Sequence, residues 1–177
     1  MSTSDNELIA RFLAGDRRAA NDIVRRYQSP IRQFLRRLTA GDHALADDIA
    51  QETFIRMLGA LGSFRGDASL STWLHTVAYR QFLRQVRTNA RLDFVEEMEL
   101  HVEAVDASTA MSDVLLEQMM RHLTINERLA VTLAFSAGMS HGEIADVTAM
   151  PLGTIKSHIN RAKKKLARLL GIEEEIS

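Results

Sequence analysis

No cysteine occurs anywhere in the 177 residues. That absence excludes a disulfide framework, a thiolate metal site and a cysteine nucleophile. Proline appears twice and aromatic residues make up 6% of the chain, a composition that suits a mostly helical protein. No apolar run approaches the roughly 20 residues that span a bilayer, and the stretch Met1–Glu7 is polar and acidic rather than signal-like. A soluble, cytoplasmic protein without membrane insertion is expected. The motifs of catalysis are missing as well. There is no G-x-S-x-G, no P-loop and no H-E-x-x-H, and the six histidines fall in no ligand spacing. Neither an enzyme, a metal site nor a cofactor is expected.

Lysine is also missing, from the whole of Met1–Leu92, where fourteen arginines face nine acids for a net +5. Asp93–Met120 holds eight acids and no Lys or Arg, and Arg121–Ser177 returns to +2 despite the acids Glu173, Glu174 and Glu175 near its end. The overall charge of −1 therefore conceals two basic blocks separated by an acidic one. This pattern predicts two small domains, 1–92 and 111–177, joined by a flexible acidic linker at 93–110. Basic blocks suit phosphate backbones. Cores this small often rely on a partner surface.

The periodicity predicts helices throughout and an all-α fold. Ser4 and Glu7, Thr124 and Glu127, and Ser140 and Glu143 each have capping-box spacing. A helix over Arg17–Leu38 turns Ile23, Val24, Tyr27, Ile31, Phe34, Leu35 and Leu38 inward, and Pro30 is expected to kink or split it. A helix from about His43 to Leu61 buries Ala46, Ala50, Phe54, Met57, Leu58 and Leu61. Its other face carries Asp48, Gln51, Glu52, Arg56 and Gly59, with an unexplained isoleucine, Ile55, among them. A helix from Thr72 to about Arg87 follows, with Trp73 read as core because it shares a face with Val77. From Met111 to Leu123, Val114, Leu115, Met119 and Leu123 are expected inward, and the methionines at 111, 119, 120 and 139 read as core filler.

The stretch Ser140–Leu170 organises the second half. One helix starts at Ser140, Ala149-Met150-Pro151-Leu152-Gly153 interrupts it, and a second helix follows, with Pro151 suited to its first turn. Ile155, Ile159, Ala162, Leu166 and Leu169 draw one apolar face; Lys156, Ser157, Asn160, Arg161 and Lys164 fall opposite. No acid occurs from Leu152 to Ile172. Two helices, a tight turn and a basic outward face make a helix-turn-helix, whose second helix enters the major groove.

The residues Glu143-Ile144-Ala145, then Gly153-Thr154-Ile155-Lys156-Ser157 and Arg161-Ala162, resemble the C-terminal DNA-binding region of bacterial sigma factors. Thr124 and His158 lean instead towards LuxR-type regulators, so this half alone leaves both open. The first half adds a second likeness. Asp48-Ile49-Ala50-Gln51-Glu52-Thr53-Phe54 is similar to the D-x-x-Q-E-T-F signature of sigma region 2, and Phe64-Arg65 through Trp73-Leu74 continues it. With both regions in this order, the chain is identified as a member of the extracytoplasmic-function (group 4) sigma factors, promoter-specificity subunits of RNA polymerase. The alternatives are a stand-alone helix-turn-helix regulator of LuxR type and a helical interaction protein that mimics a sigma factor. A gel shift with and without core polymerase separates the three.

The resemblance implies a role for each face. Asp48, Gln51, Glu52, Ile55 and Arg56 would dock on the β′ clamp helices. The loop Ser63–Ser71, with Phe64, Arg65 and Ser69, would receive an unstacked base of the −10 element. His75, Thr76, Tyr79, Arg80, Arg84 and Arg87 would line the melted strand. Gly153, Thr154, Lys156, Ser157, Asn160, Arg161 and Lys164 would meet the −35 element. The β flap and an anti-sigma factor are further implied partners, and the acidic linker would thread the polymerase cleft rather than serve as a plain spacer. Several positions depart from the family pattern: Arg80 for Asn, Arg84 for Asp, Thr124 for Pro, Leu129 for Glu and His158 for Arg.

Overall fold

The structure, a computed structural model, describes residues 3–92 and 109–171. The described residues form eight α-helices and no strand. In chain order they are α1 (Asp5–Leu13), α2 (Arg17–Leu38), α3 (His43–Ala60), α4 (Leu70–Leu92), α5 (Thr109–Met120), α6 (Ile125–Phe135), α7 (His141–Thr148) and α8 (Leu152–Leu170), with one 3-10 turn at Leu61–Ser63. All three capping boxes form: Ser4, Thr124 and Ser140 each accept from the N3 amide, and Glu7, Glu127 and Glu143 return the bond. Each satisfies two donors left orphan at a helix start.

Helix α2 is the spine of the first half. It packs on α1, α3 and α4, and Ile23, Ile31, Phe34, Leu35 and Leu38 are fully buried. Pro30 neither splits nor ends it, and α2 runs unbroken to Leu38. Pro30 lies on the exposed side, where water can reach the carbonyl of Arg26 that its missing N–H leaves free. Buried Tyr27 and Ile31 hold the helix on either side of it. Two inward expectations fail. Leu115 and Leu169 are about half exposed, which corrects the predicted apolar faces. The buried residues of α8 are instead Ile155, Ile159, Ala162 and Ala167, and Leu169 lies in the last turn of the helix. Pro151 is the N-cap of α8 and not its first helical residue. Met119, Met120 and Met139 are buried, while the side chain of Met111 and the linker residues 93–108 lie outside what is described.

The two halves pack on each other. Their core is one cluster, running from α1–α4 into Leu129, Ala130 and Leu133 of α6 and on to Ile144, Ile155 and Ile159. A second cluster joins Ala40 to Met120, Leu123, Val131 and Ala162. Each small core thus finds the partner surface that its size calls for. Between α2 and α3 the chain turns through Ala40 and Gly41, at φ 55° and 87°, which brings α5 close. A Cβ on Gly41 would lie 3.4 Å from the Glu117 carboxylate, so glycine suits both the left-handed backbone and the contact. Polar links complete the seam. His43 Nε2 meets Glu117 Oε2 at 2.7 Å, Arg37 donates to Ser136 Oγ at 2.7 Å, and Arg121 donates to the Ala40 carbonyl at 3.1 Å.

Candidate nucleic-acid interface

The outer face of α3 is solvent-facing along its whole length. Asp48, Gln51, Glu52, Ile55, Arg56 and Gly59 are all exposed, and their three- and four-residue spacing puts them on one stripe. Ile55 is 64% exposed while Ile49, Ala50 and Met57 on the opposite side are buried. Neighbouring carboxylates divide the work. Asp47 turns to Arg32 and Arg36 of α2, and Asp48 stays on the outer stripe.

Loop 64–69 leads into α4. The Phe64 and Trp73 rings meet at 5.5 Å and 60°, so half-buried Trp73 braces the loop as well as the core. Ser69 is the cap of α4, its Oγ accepting from Thr72 N at 3.0 Å. Arg65 and Asp67 are exposed and pair loosely at 3.6 Å. Between this loop and the first turn of α1 lies a cavity of about 520 Å³.

Helix α4 corrects two expectations. His75 is 2% exposed and Tyr79 is buried too, so neither ring reaches the outer face. The stripe Leu70, Leu74, Ala78 and Phe82 is wide enough to carry its flanks inward with it. His75 lies edge-on to Phe34 at 5.0 Å, and its Nδ1 meets the Ser71 carbonyl at 2.7 Å. Thr76 is half-buried and bonds back to the Thr72 carbonyl. Arg80, Arg84 and Arg87 are exposed and, with Leu83 and Thr88, line a 420 Å³ groove. The three arginines thus share one groove on the outer face, and the two rings lie apart from them in the core.

Burial pushes the His75 imidazole below its ordinary pKa of 6.5, against the opposing pull of the Ser71 carbonyl. The folded state keeps the ring neutral where the unfolded chain would protonate it. Above pH 6.5 this costs nothing, and below it stability is lost as pH falls. Thermal unfolding followed from about pH 7.5 down to 5.5 is expected to show that loss, and His75→Gln is expected to remove part of it. The same decline in both proteins would exclude His75 as its source.

The helix-turn-helix closes on Ala149, a left-handed non-glycine at φ 58°. Along α8, Gly153, Lys156, Asn160, Arg161 and Lys164 are exposed, and Thr154 and Ser157 are half-exposed; Ile155 and Ile159 are buried beneath them. Glu127 of α6, only 3% exposed, reaches this helix. It holds Lys165 Nζ at 2.7 Å and lies 3.5 Å from Arg161 Nε. Burial opposes its ionisation, but Lys165 and Thr124 outweigh that and hold its carboxyl below the usual range. Arg161 also meets His158 Nδ1 at 2.9 Å, and Lys163 sits over the Phe135 ring at 5.1 Å. Of the three consecutive lysines, Lys163 and Lys164 are exposed and Lys165 is held by Glu127.

Sequence reasoning missed two features. The capping box marked Glu127, but nothing local revealed its second task on α8. An apolar groove of about 420 Å³ also lies among α5, α6 and α8, lined by Leu116, Met120, Val131, Phe135, Leu166 and Leu170. Phe135, 63% exposed, stands at its edge, and nothing in the local sequence marked it. Among the described residues no group of His, Asp and Glu could hold a metal, and no helix is long and apolar enough to cross a membrane.

Comparison with known proteins follows this division. Residues 23–92 match Sigma-70 region 2, and residues 113–166 match Sigma-70 region 4. The sigma factor SigM of Mycobacterium tuberculosis, an extracytoplasmic-function protein, is 31% identical, over 95% of this chain and 85% of that one. The RNA polymerase sigma-H factor of Pseudomonas aeruginosa is 30% identical over 94% of this chain and 93% of that one. In fold, the chain is similar to the sigma factor RpoE of Bartonella quintana, solved with the anti-sigma factor NepR, with a TM-score of 0.71 and 24% identity over 86% of this chain and 99% of that one. The region 2 match over the first half sets aside the LuxR-type alternative. The chain belongs to the extracytoplasmic-function sigma factors of the sigma-70 family.

Proposed function

We propose how this sigma factor, a promoter-specificity subunit of bacterial RNA polymerase, distributes its work over its surface. Residues 1–92 serve as region 2, 93–110 as the acidic linker and 111–177 as region 4. The α3 stripe of Asp48, Gln51, Glu52, Ile55 and Arg56 docks on the β′ clamp helices. Loop 64–69 takes a base of the −10 element, and Arg80, Arg84 and Arg87 follow the displaced strand. A cationic groove of this kind tracks a single-stranded backbone, and stacking on Phe64 supplies the aromatic part that His75 and Tyr79 do not. The apolar groove of α5, α6 and α8 suits an apolar helix of the β flap, and an anti-sigma factor completes the partners. The protein works in the cytoplasm without catalysing a reaction of its own.

The observation that carries the −35 assignment is the outward face of α8, basic and free of acids. Lys156, Ser157, Asn160 and Arg161 lie towards its amino-terminal half, where a docked recognition helix meets base edges. Lys164 lies a turn further on, where phosphates pass. Losing a base contact costs about 1–3 kcal/mol and relaxes one position. Losing a phosphate contact weakens every sequence alike and lowers the salt slope by roughly 1. Arg161→Ala is therefore expected to flatten discrimination among −35 variants, and Lys164→Ala to weaken all of them equally. The measurement is promoter binding by the chain with core polymerase, across salt concentrations and single-base −35 changes. Altered preference in Lys164→Ala with none in Arg161→Ala would reverse the orientation of α8.

A further inference from the structure

The cavity beside loop 64–69 has two walls, and the second belongs to α1. Its volume, about 520 Å³, falls within the roughly 300–1,000 Å³ of small-ligand sites. Phe64, Asp67 and Ser69 line it from the loop, and Ser4, Asp5 and Asn6 from the first turn of α1. We propose that Asn6, which lines this cavity together with Asp67, is a specificity-determining residue for the −10 element and contacts the edge of the extruded base. This rests on the assignment of the loop to the −10 element made above.

An extruded base is held by a π or apolar wall and by polar groups at its hydrogen-bonding edge. Phe64, braced by Trp73, supplies the wall. Most polar groups around the cavity are already engaged. Ser4 Oγ accepts from Glu7 N, and Ser69 Oγ accepts from Thr72 N. The Asp5 carboxylate takes bonds from Arg26 at 2.5 Å and from the Tyr27 hydroxyl at 2.6 Å. Asn6 is exposed, and its amide makes no hydrogen bond among the described residues. Asp67 has only the loose exposed pair with Arg65, a kind of contact worth little. Asn6 and Asp67 are left to read a base.

The α1 wall is fixed before DNA arrives. Asp5 is tied to Arg26 and Tyr27, Arg26 Nη2 also donates to the Thr3 carbonyl at 2.7 Å, and Leu8 and Ile9 are buried beneath. A rigid wall loses little freedom on binding, so its contacts discriminate rather than merely adapt. The chemistry of the two groups favours one class of base. A carboxylate accepts from an exocyclic amino group and repels a keto oxygen, and an amide can donate or accept beside it. Adenine or cytosine is therefore preferred to thymine.

The test is transcription by the chain with core polymerase on promoters that share a −35 element and carry each base in turn through the −10 element. Three variants are compared: Asn6→Ala, Asn6→Asp, and a chain whose loop 63–71 is replaced by that of another extracytoplasmic-function sigma factor. Asn6→Ala is expected to reduce discrimination at one −10 position by roughly fivefold or more, with polymerase affinity and −35 preference unchanged. Asn6→Asp is expected to penalise thymine further at that position. If the loop replacement shifts −10 preference while Asn6→Ala leaves every base ratio unchanged, the proposal is overturned and the loop assignment stands. Equal loss on all promoters overturns it too, because it marks a contact that reads no base. If neither change touches −10 preference, the loop assignment fails and the proposal falls with it.

Discussion

Ile55→Glu is expected to cut affinity for core polymerase by about thirtyfold or more while leaving the fold intact. The stability half follows from position. Ile55 is 64% exposed, and surface substitutions away from caps and cores change stability by about 0.5 kcal/mol or less. The binding half follows from chemistry. An apolar side chain on an otherwise polar stripe, flanked by Gln51, Glu52 and Arg56, is placed to enter a pocket on a partner. Losing such an anchor costs about 2 kcal/mol or more, and a carboxylate in its place must also be desolvated without a partner charge. Ile55→Ala is expected to lose less, because it removes area without adding charge. Competition for core polymerase against the unaltered chain, with thermal unfolding measured alongside, checks both halves. Unchanged competition would remove α3 from the polymerase contact; a collapsed fold would mean that Ile55 supports the structure.

Helix positions were legible in the sequence where period and cap agreed. Arg17–Leu38 was readable end to end because its apolar residues recur every three or four positions and Asp16 and Thr39 close its ends. The outer stripe of α3 was readable for the same reason, down to the anomaly at Ile55. Legibility failed where a face is wider than its apolar residues. His75 and Tyr79 carry polar atoms and so read as outward, yet they sit beside Leu74 and Ala78 and are drawn in with them. Function at a distance was also invisible. Asn6 and Asp67 are far apart in sequence, and only the fold puts them on one cavity. Glu127 could be read as a cap, but its hold on Lys165 depends on how α6 crosses α8. The same holds for the seam between the halves. Arg37 and Arg128 look like ordinary surface cations until α2 and α6 are packed together.

Arg128 is the residue on which that seam depends most, and its loss is expected to lower stability by about 2–4 kcal/mol. Its guanidinium is largely buried and donates to three backbone carbonyls: Met120 at 3.0 Å, Leu38 at 3.1 Å and Leu123 at 3.2 Å. Leu38 ends α2 and Met120 ends α5, so the cation sits where two helices present unsatisfied carbonyls and the negative ends of their dipoles. Burial pulls the guanidinium below its ordinary pKa, yet an arginine stays charged at any pH the fold survives. Arg128→Met keeps much of the apolar stem and removes every donor. Each buried carbonyl left without a partner costs about 1–3 kcal/mol, offset in part by shedding a buried charge. Arg128→Lys keeps the charge but lacks the planar fork that reaches three acceptors, so it should fall between the two. Arg37→Ala is the control, since it breaks links to Ser136 and Asp113 across the same seam at a partly exposed site. It should cost about 1 kcal/mol or less. Thermal unfolding orders the four proteins, with Arg128→Met melting about 5–15 °C below the unaltered chain. If Arg128→Met melts with Arg37→Ala, the three carbonyls find water instead, and the seam is held chiefly by its apolar contacts, those of Leu38, Leu129 and Leu133 among them.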